Sequence, residues 1–176
     1  MFDETGPTAE GWRRQEELVL HAEAVRAVLG DDPTFTQLGI DDDLDGLVLH
    51  ATARPSPSQW EACERAAPGV RLRYVQAVLS DAQLQHLFAL VSERRADLLA
   101  GGVLVRLAGP LDGYAGPFVL CHETGEPTAE MVASFEIFGP GTVEFRRIPP
   151  GSVRSLGSEA PEVGTLPGVV SFSPRE

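Results

Sequence analysis

The residues best suited to chemistry lie in the run Cys121-His122-Glu123, with Cys63 and His50 elsewhere in the chain. A thiolate nucleophile requires a nearby base and a third group that orients the base, and a zinc ion requires three or four converging ligands. Neighbouring residues of a strand point to opposite faces, which disfavours a direct pairing of Cys121 with His122. We predict buried thiols and ordinary sheet histidines, and keep the two cysteines and two histidines as candidates for a small hydrolase or transferase.

Asp41, Asp43 and Asp45, followed by Gly46, match the opening of a calcium-binding loop. Carboxylates at alternate positions can converge on one hard cation, and glycine permits a sharp turn. The twelfth position of such a loop is Thr52 here, where calcium loops place a bidentate glutamate. We therefore predict a hairpin turn with solvated carboxylates, and keep Ca²⁺ binding by the three aspartates as the alternative.

Motifs of the common enzyme classes are missing from the sequence. The chain has no G-x-S-x-G nucleophile elbow, no P-loop, no G-x-G-x-x-G, no H-E-x-x-H and no C-x-x-C. We therefore predict no cofactor and no resident metal ion.

Composition is that of a globular protein of one domain. The chain has 176 residues, of which 43% are hydrophobic and 23% charged. Acidic residues outnumber basic ones 26 to 14, for a net charge of −12 at pH 7. This charge repels phosphate backbones, so nucleic-acid binding is not expected. All basic residues are arginine, and lysine and asparagine are absent, which indicates coding DNA rich in G and C.

The sequence shows no sign of export or membrane insertion. Its first seven residues are acidic and contain Gly6 and Pro7, unlike the basic and apolar regions of a secretory signal. No window approaches 18 consecutive apolar residues. Two cysteines are too few for a disulfide framework in a chain of this size. We expect a cytoplasmic protein that does not bind membranes and whose two thiols are free.

Hydrophobic periodicity predicts three helices and six strands. The helices cover residues 8–29, 58–67 and 80–100, and the strands cover 35–40, 47–53, 70–79, 103–108, 117–122 and 142–148. Residues 129–138 are compatible with a short helix or a strand. Ser58 with Glu61 and Ser80 with Gln83 have the spacing of capping boxes, which begin helices.

This order of elements predicts an α+β fold with a small mixed sheet, βαβ-type units and two to three helices packed on one face. We divide the chain into an N-terminal helix over 1–33, a core domain over 34–148 and a Gly/Pro-rich tail over 149–176. An apolar stretch over 163–172 interrupts the tail and is predicted to dock on its own domain or on a partner. The partner-binding residues predicted in this stretch are Leu166, Val169, Val170 and Phe172.

Residues 35–122 resemble a known family in their pattern. Gly46-Leu47-Val48-Leu49, then Val70-Arg71-Leu72-Arg73-Tyr74-Val75, then Ser80-Asp81-Ala82-Gln83-Leu84 are similar to the βαβ modules in pro-regions of alpha-lytic-type secreted serine proteases. There a hairpin, a helix, an RxV strand and an SxAEL-type helix follow one another. The resemblance implies architecture only, because the foldase role of those pro-regions requires an attached protease and a signal peptide, and we identify neither.

We interpret the chain as a non-enzymatic, acidic protein-interaction or assembly module. Its acidity favours a basic protein partner by electrostatic steering, and association with a second copy is left open. The alternatives are a small hydrolase or transferase with a Cys/His site, and a metal-stabilised domain.

Overall fold

A computed structural model of the chain describes residues 9–30 and 32–152 and the backbone of residues 170–171. The described residues contain five helices and seven strands. The helices are α1 (Ala9–Leu29), α2 (Pro57–Ala66), α3 (Asp81–Glu93), α4 (Arg95–Ala100) and α5 (Ala129–Phe135). The strands are β1 (Phe35–Ile40), β2 (Gly46–Ala51), β3 (Arg71–Gln76), β4 (Val105–Gly109), β5 (Phe118–His122), β6 (Val143–Arg147) and β7 (Val170–Ser171). The predicted α+β class is confirmed.

The chain divides into two compact units, Met1–Ser80 and Asp81–Glu176. The first unit contains a three-stranded sheet of order β1-β2-β3, and the second contains a four-stranded sheet of order β6-β5-β4-β7. Each sheet is mixed, because β3 and β6 are parallel to their neighbours and the other pairs are antiparallel. We predicted one sheet over residues 34–148, and the strands form two. Within the first sheet α2 connects the parallel neighbours β2 and β3, and within the second α5 connects the parallel neighbours β5 and β6.

In the first unit, α1 lies against one face of the first sheet and packs on α2. Alternate residues of the hairpin strands point to this face, where Leu38 and Ile40 pair with Leu49 and Leu47. The buried residues of this core are Leu18, Val25, Leu29, Leu38, Leu47, Leu49, Cys63 and Ala67. One side of α1 is thus committed to the interior of its unit.

In the second unit, α3 and α5 lie over the same face of the second sheet. Phe88 of α3 meets Phe118 of β5 edge to face at 5.0 Å between ring centroids, and Phe135 of α5 meets Phe145 of β6 at 5.7 Å. All five residues of β5 are buried. A strand with neighbours on both edges and buried on both faces is expected to consist of apolar residues, as this one mostly does.

Two details of the predicted helices were wrong. Helix α2 is capped by Ser56, whose Oγ accepts a hydrogen bond from the Gln59 N–H at 3.3 Å, and not by Ser58. Pro57 explains the difference, because proline at the first helical position needs no partner for an N–H. The helix predicted over 80–100 is interrupted at Arg94, which separates α3 from α4. The ambiguous residues 129–138 contain α5, capped by the Thr128 hydroxyl.

The connection between α1 and β1 is held by the carboxylate of Asp32. Its Oδ1 accepts hydrogen bonds from the hydroxyl and the N–H of Thr34 at 2.7 and 2.8 Å, and its Oδ2 accepts one from the Gln59 side chain at 2.8 Å. These hydrogen bonds, that of the Thr34 hydroxyl foremost, lower the pKa of Asp32 below its ordinary value. The carboxylate therefore joins this connection to the first turn of α2.

We expect Asp32→Asn to lower the melting temperature at neutral pH, and the loss to shrink as the solution is acidified. A carboxyl whose pKa is lowered in the folded state contributes stability above its unfolded pKa of about 3.9, and that contribution disappears as the pH falls through the folded value. Thermal unfolding followed by circular dichroism from about pH 7 to about pH 2 measures the difference. Asp43→Asn, in the exposed turn before β2, is the matched control, and a loss for Asp32→Asn that is constant over this range contradicts the assignment.

Candidate functional site

Cys121 and His122 are adjacent in β5 and point to opposite faces of the second sheet. The Cys121 thiol lies on the face that carries Arg146. The ring of His122 lies on the other face, with its centroid 6.4 Å from that of Phe145 and its Nδ1 3.3 Å from the carbonyl oxygen of Thr124. The two side chains are therefore not brought together as a nucleophile and its base.

Both thiols are buried. Cys63 is fully shielded from solvent within the core of the first unit, and Cys121 is 5% exposed. Burial is the main reason why the pKa of each thiol is raised above its ordinary value. A reactive cysteine needs both the thiolate form and access to a substrate. The environments of Cys63 and Cys121 provide neither.

His50 lies on the face of the first sheet opposite to the core that contains Cys63. There it lines an open hollow of about 350 Å³ with Asp41, Arg73 and neighbouring side chains of the sheet. Desolvation, and then the charge of Arg73, lower the pKa of His50 below its ordinary value. The sheet separates the imidazole of His50 from the Cys63 thiol.

The candidate calcium ligands lie in a hairpin turn. One nitrogen of the Arg71 guanidinium donates to Asp41 Oδ2 at 2.9 Å and to Asp45 Oδ1 at 2.8 Å. The chain reverses at Leu44, which has a positive φ of 54°. Gly46 is needed for a different reason, because a Cβ there would lie 2.4 Å from the carbonyl oxygen of Arg71 on β3.

The third predicted calcium ligand, Asp43, is exposed in the same turn, whereas the hydrogen bonds of Arg71 go to Asp41 and Asp45. In residues 9–30 and 32–152, no group of three or more His, Cys, Asp or Glu side chains is arranged to hold a metal ion. The Arg71 guanidinium occupies the position between two of the carboxylates that a cation would need. The hairpin turn predicted for this segment is present.

Glu123, the third residue of the run Cys121-His122-Glu123, is a buried carboxylate that holds two parts of the chain together. Its Oε2 accepts a hydrogen bond from Arg106 Nε, and its Oε1 accepts one from the Gly151 N–H, both at 2.9 Å. The Arg106 hydrogen bond, followed by that of Gly151, lowers the pKa of Glu123. The carboxylate thus ties the turn at residues 149–152 to β4 and to the end of β5.

An apolar groove lies where α3 and α4 meet the beginning of β4. We call it the β4 groove. It has a volume of about 370 Å³, and its apolar lining consists of Val91, Ala96, Leu98, Leu99, Val103, Leu104 and Val105. Four of these residues, Val91, Leu98, Val103 and Val105, are buried, whereas Leu99 on its rim is 58% exposed.

The groove is lined on both sides of the interruption at Arg94, by residues of α3 and of α4. After α4, Gly101 and Gly102, the latter with a positive φ of 84°, lead the chain to β4. The Val103 N–H donates to the Leu98 carbonyl at 2.8 Å and fixes this connection. Leu98 and Leu99 both line the groove, and Leu98 is buried whereas Leu99 is exposed.

The groove adjoins a sheet edge that is paired over a short length. Strand β7 pairs with β4 at Leu107 and Ala108. On the same side of β4, Val105 and Arg106 have no strand partner among the residues that the structure describes. A segment lying in the groove could therefore also reach the backbone of β4.

Sequence reasoning did not find the β4 groove. The available signal was the pair Leu98-Leu99 at a helix end, just before the break at Gly101-Gly102. Of the predicted partner-binding residues, Leu166, Val169 and Phe172 lie outside the described residues. Val170 lies in β7, where its backbone pairs with Ala108 at the edge described above.

Comparison with the models of known protein families and with characterised proteins finds no match to the chain. Within the described part of the chain, no helix combines the length and the apolar character needed to cross a membrane. A functional assignment therefore rests on the side chains of the chain itself.

Alkylation of both cysteines should be much slower in the folded protein than in denaturant, because burial withholds the thiols and keeps them protonated. Mass spectrometry after timed exposure to iodoacetamide counts the modified thiols. The single variants Cys63→Ser and Cys121→Ser assign each modification. Rapid alkylation of either cysteine in the folded protein contradicts the burial of that thiol.

Millimolar Ca²⁺ should leave the melting temperature unchanged, because Arg71 already neutralises the two carboxylates that would form the site. A cation that binds only the folded chain would raise the melting temperature with its concentration. Differential scanning calorimetry with Ca²⁺ and with EDTA measures this shift. A rise with Ca²⁺ that is absent in Asp43→Asn establishes the calcium alternative instead.

Proposed function

We propose that this chain is a non-enzymatic protein-interaction module that binds an extended segment of a partner protein at the β4 groove. The observation that carries the proposal is the combination of an apolar floor with an adjoining strand edge that is paired at only two described positions. In strand addition, the edge supplies backbone hydrogen bonds and neighbouring pockets select alternate side chains. The β4 groove offers both elements side by side.

The depth and lining of the groove support an aliphatic or aromatic anchor on the partner. Val91, Leu98 and Val103 are 1–3% exposed at its base, and the lining is mostly apolar, with Ser92, Glu93 and Arg95 as its polar members. Burying one such side chain contributes roughly 1.5–3 kcal/mol relative to leaving it in water. A few anchors of this kind usually dominate the energy of an interface.

Charge and the tail support the same function. The net charge of −12 favours the approach of a basic partner through long-range steering. Strand β7 brings Val170, a predicted partner-binding residue, to the edge beside Leu107 and Ala108. We therefore propose that the 163–172 segment belongs to the same docking surface as the groove.

The enzyme alternative has less support. A Cys–His mechanism needs an accessible thiolate next to an imidazole, and both thiols here are buried with raised pKa values. Cys121 and His122 point to opposite faces of one sheet, and Cys63 and His50 lie on opposite faces of the other.

Filling the groove should abolish partner binding. A photoactivatable cross-linking residue in place of Leu99 reports contact at the groove rim in the protein's own cells. We expect an adduct of defined mass, and we expect Ala96→Phe to reduce its yield by about tenfold or more, because the ring occupies the groove.

Ala100→Phe is the matched control for this experiment. It makes the same change at another exposed alanine of α4 that does not line the groove. It should leave the adduct yield unchanged. Equal adduct yields in Ala96→Phe and in the chain without this substitution would overturn the groove as the binding site. An adduct with a second copy of this chain would overturn the partner protein and show self-association at the groove instead.

A further inference from the structure

Strand β7 leads the chain directly toward the β4 groove. Its backbone pairs antiparallel with Leu107 and Ala108 of β4. On β4, the lining of the groove begins two residues before Leu107, at Val105, and continues back to Val103. Because the two strands are antiparallel, a chain that continues beyond Ser171 in the same direction runs along β4 into the groove. The strand and the groove both belong to the second unit.

The register of this pairing predicts which residue reaches the groove first. Ser171 lies opposite Leu107, so the next residue, Phe172, comes beside Arg106 at the entrance of the groove. Residues 172–176 lie outside the described residues, and in extended form they span up to about 17 Å. The part of β4 between Leu107 and the far end of the groove is about 13 Å long. The segment is therefore long enough to follow β4 through the groove.

Phe172 also falls on the face of the sheet where the groove lies. Position 170 of the chain pairs with Ala108, and Ala108 pairs with Leu120 of β5. Leu120 shares a face with Phe118, two residues earlier, which contacts α3. Since residues two apart in a strand lie on the same face, position 172 returns to the side of α3, and α3 forms one wall of the groove.

We infer that Phe172 and Ser173 occupy the β4 groove in the absence of a partner, with the Phe172 ring as the anchor, and that a partner segment must displace them. The displacement rests on the function proposed above, whereas the docking of the chain's own residues does not. The sequence predicts that the stretch over 163–172 docks on its own domain or on a partner. At Phe172 the register favours its own domain, because the ring enters a groove whose lining is mostly apolar.

The segment is suited to compete with a partner without excluding it. Pro174 has no N–H to donate, so hydrogen bonding to β4 is expected to end after Ser173. The groove, however, continues along β4 to Leu104 and Val103. A partner segment with an apolar residue at the position of Phe172 and no proline two residues later can pair further along β4. The chain's own segment reduces the apparent affinity of such a partner, because only the fraction of molecules with an open groove can bind it.

The photoactivatable residue at position 99 tests the docking in the purified full chain. Trypsin should release residues 96–106 covalently joined to residues 155–175, and fragmentation should place the joint at 172–174. These peptides are defined by the arginines at their ends, Arg95, Arg106, Arg154 and Arg175. The adduct should have the mass of one chain. Absence of the joined peptide overturns the inference, and an adduct with the mass of two chains assigns the groove to the segment of a second copy instead.

Matched variants test the register. Phe172→Ala should lower the yield of the joined peptide by about tenfold or more, because the anchor is lost. Exchange of the two residues, Phe172→Ser with Ser173→Phe, keeps the composition and moves the ring to the opposite face of the segment, so it should lower the yield as much. Ser173→Ala should leave the yield unchanged. Equal yields with the ring at position 172 and at position 173 overturn the inference, since any apolar attraction of the segment to the groove would then suffice.

The displacement is tested with the same residue at position 99 in the protein's own cells. Phe172→Ala should raise the yield of the partner adduct by about threefold or more, because it opens the groove. An unchanged yield overturns the competition. A partner adduct without the intramolecular one overturns the inference and supports the proposed function. An intramolecular adduct with no partner adduct, even in Phe172→Ala, supports the docking of the segment and overturns the proposed function.

Discussion

Burial of one central strand is the constraint on which each unit depends. In the first sheet, five of the six residues of β2 are buried, and in the second all five residues of β5 are buried. A strand of this kind must be paired on both edges and covered on both faces, because neither its backbone nor its side chains can meet water without cost. The crossovers through α2 and α5 meet this requirement, since each adds a parallel strand beside the central one.

The same constraint explains why the most reactive side chains are shielded from solvent. Cys121 and His122 belong to β5, and Glu123 follows directly, so all three are buried by the demands of the sheet. A buried carboxylate must be compensated, and Arg106 with the Gly151 N–H compensates Glu123. The run Cys121-His122-Glu123 is thus part of the core, and its carboxylate anchors the turn that follows β6.

Exposed apolar surface remains where a helix carries more apolar side chains than the core beside it buries. Helix α1 has more apolar residues than its unit buries, and of the consecutive Leu98 and Leu99 of α4 only Leu98 is buried. The exposed Leu99 lies at the rim of the β4 groove, beside the edge of β4. The binding of an extended segment that we propose rests on this combination.

The sequence by itself determined the features that depend on interactions between residues close together in the chain. The α+β class, the core stripe of α1, most strand bounds and the hairpin at Asp41–Gly46 follow from periodicity and turn residues, which act over a few positions. Sequence reasoning misplaced the N-cap of α2 by two residues and ran α3 into α4, because caps and interruptions depend on competing local hydrogen bonds. Only the tertiary structure decided that the strands form two sheets and what the side chains of Cys121 and His122 meet on the two faces of the second sheet. It also decided that Glu123 is bound to Arg106 and that the β4 groove exists. The physical reason is that pairing and burial join residues distant in the chain, and no local pattern records which distant surface a side chain will meet.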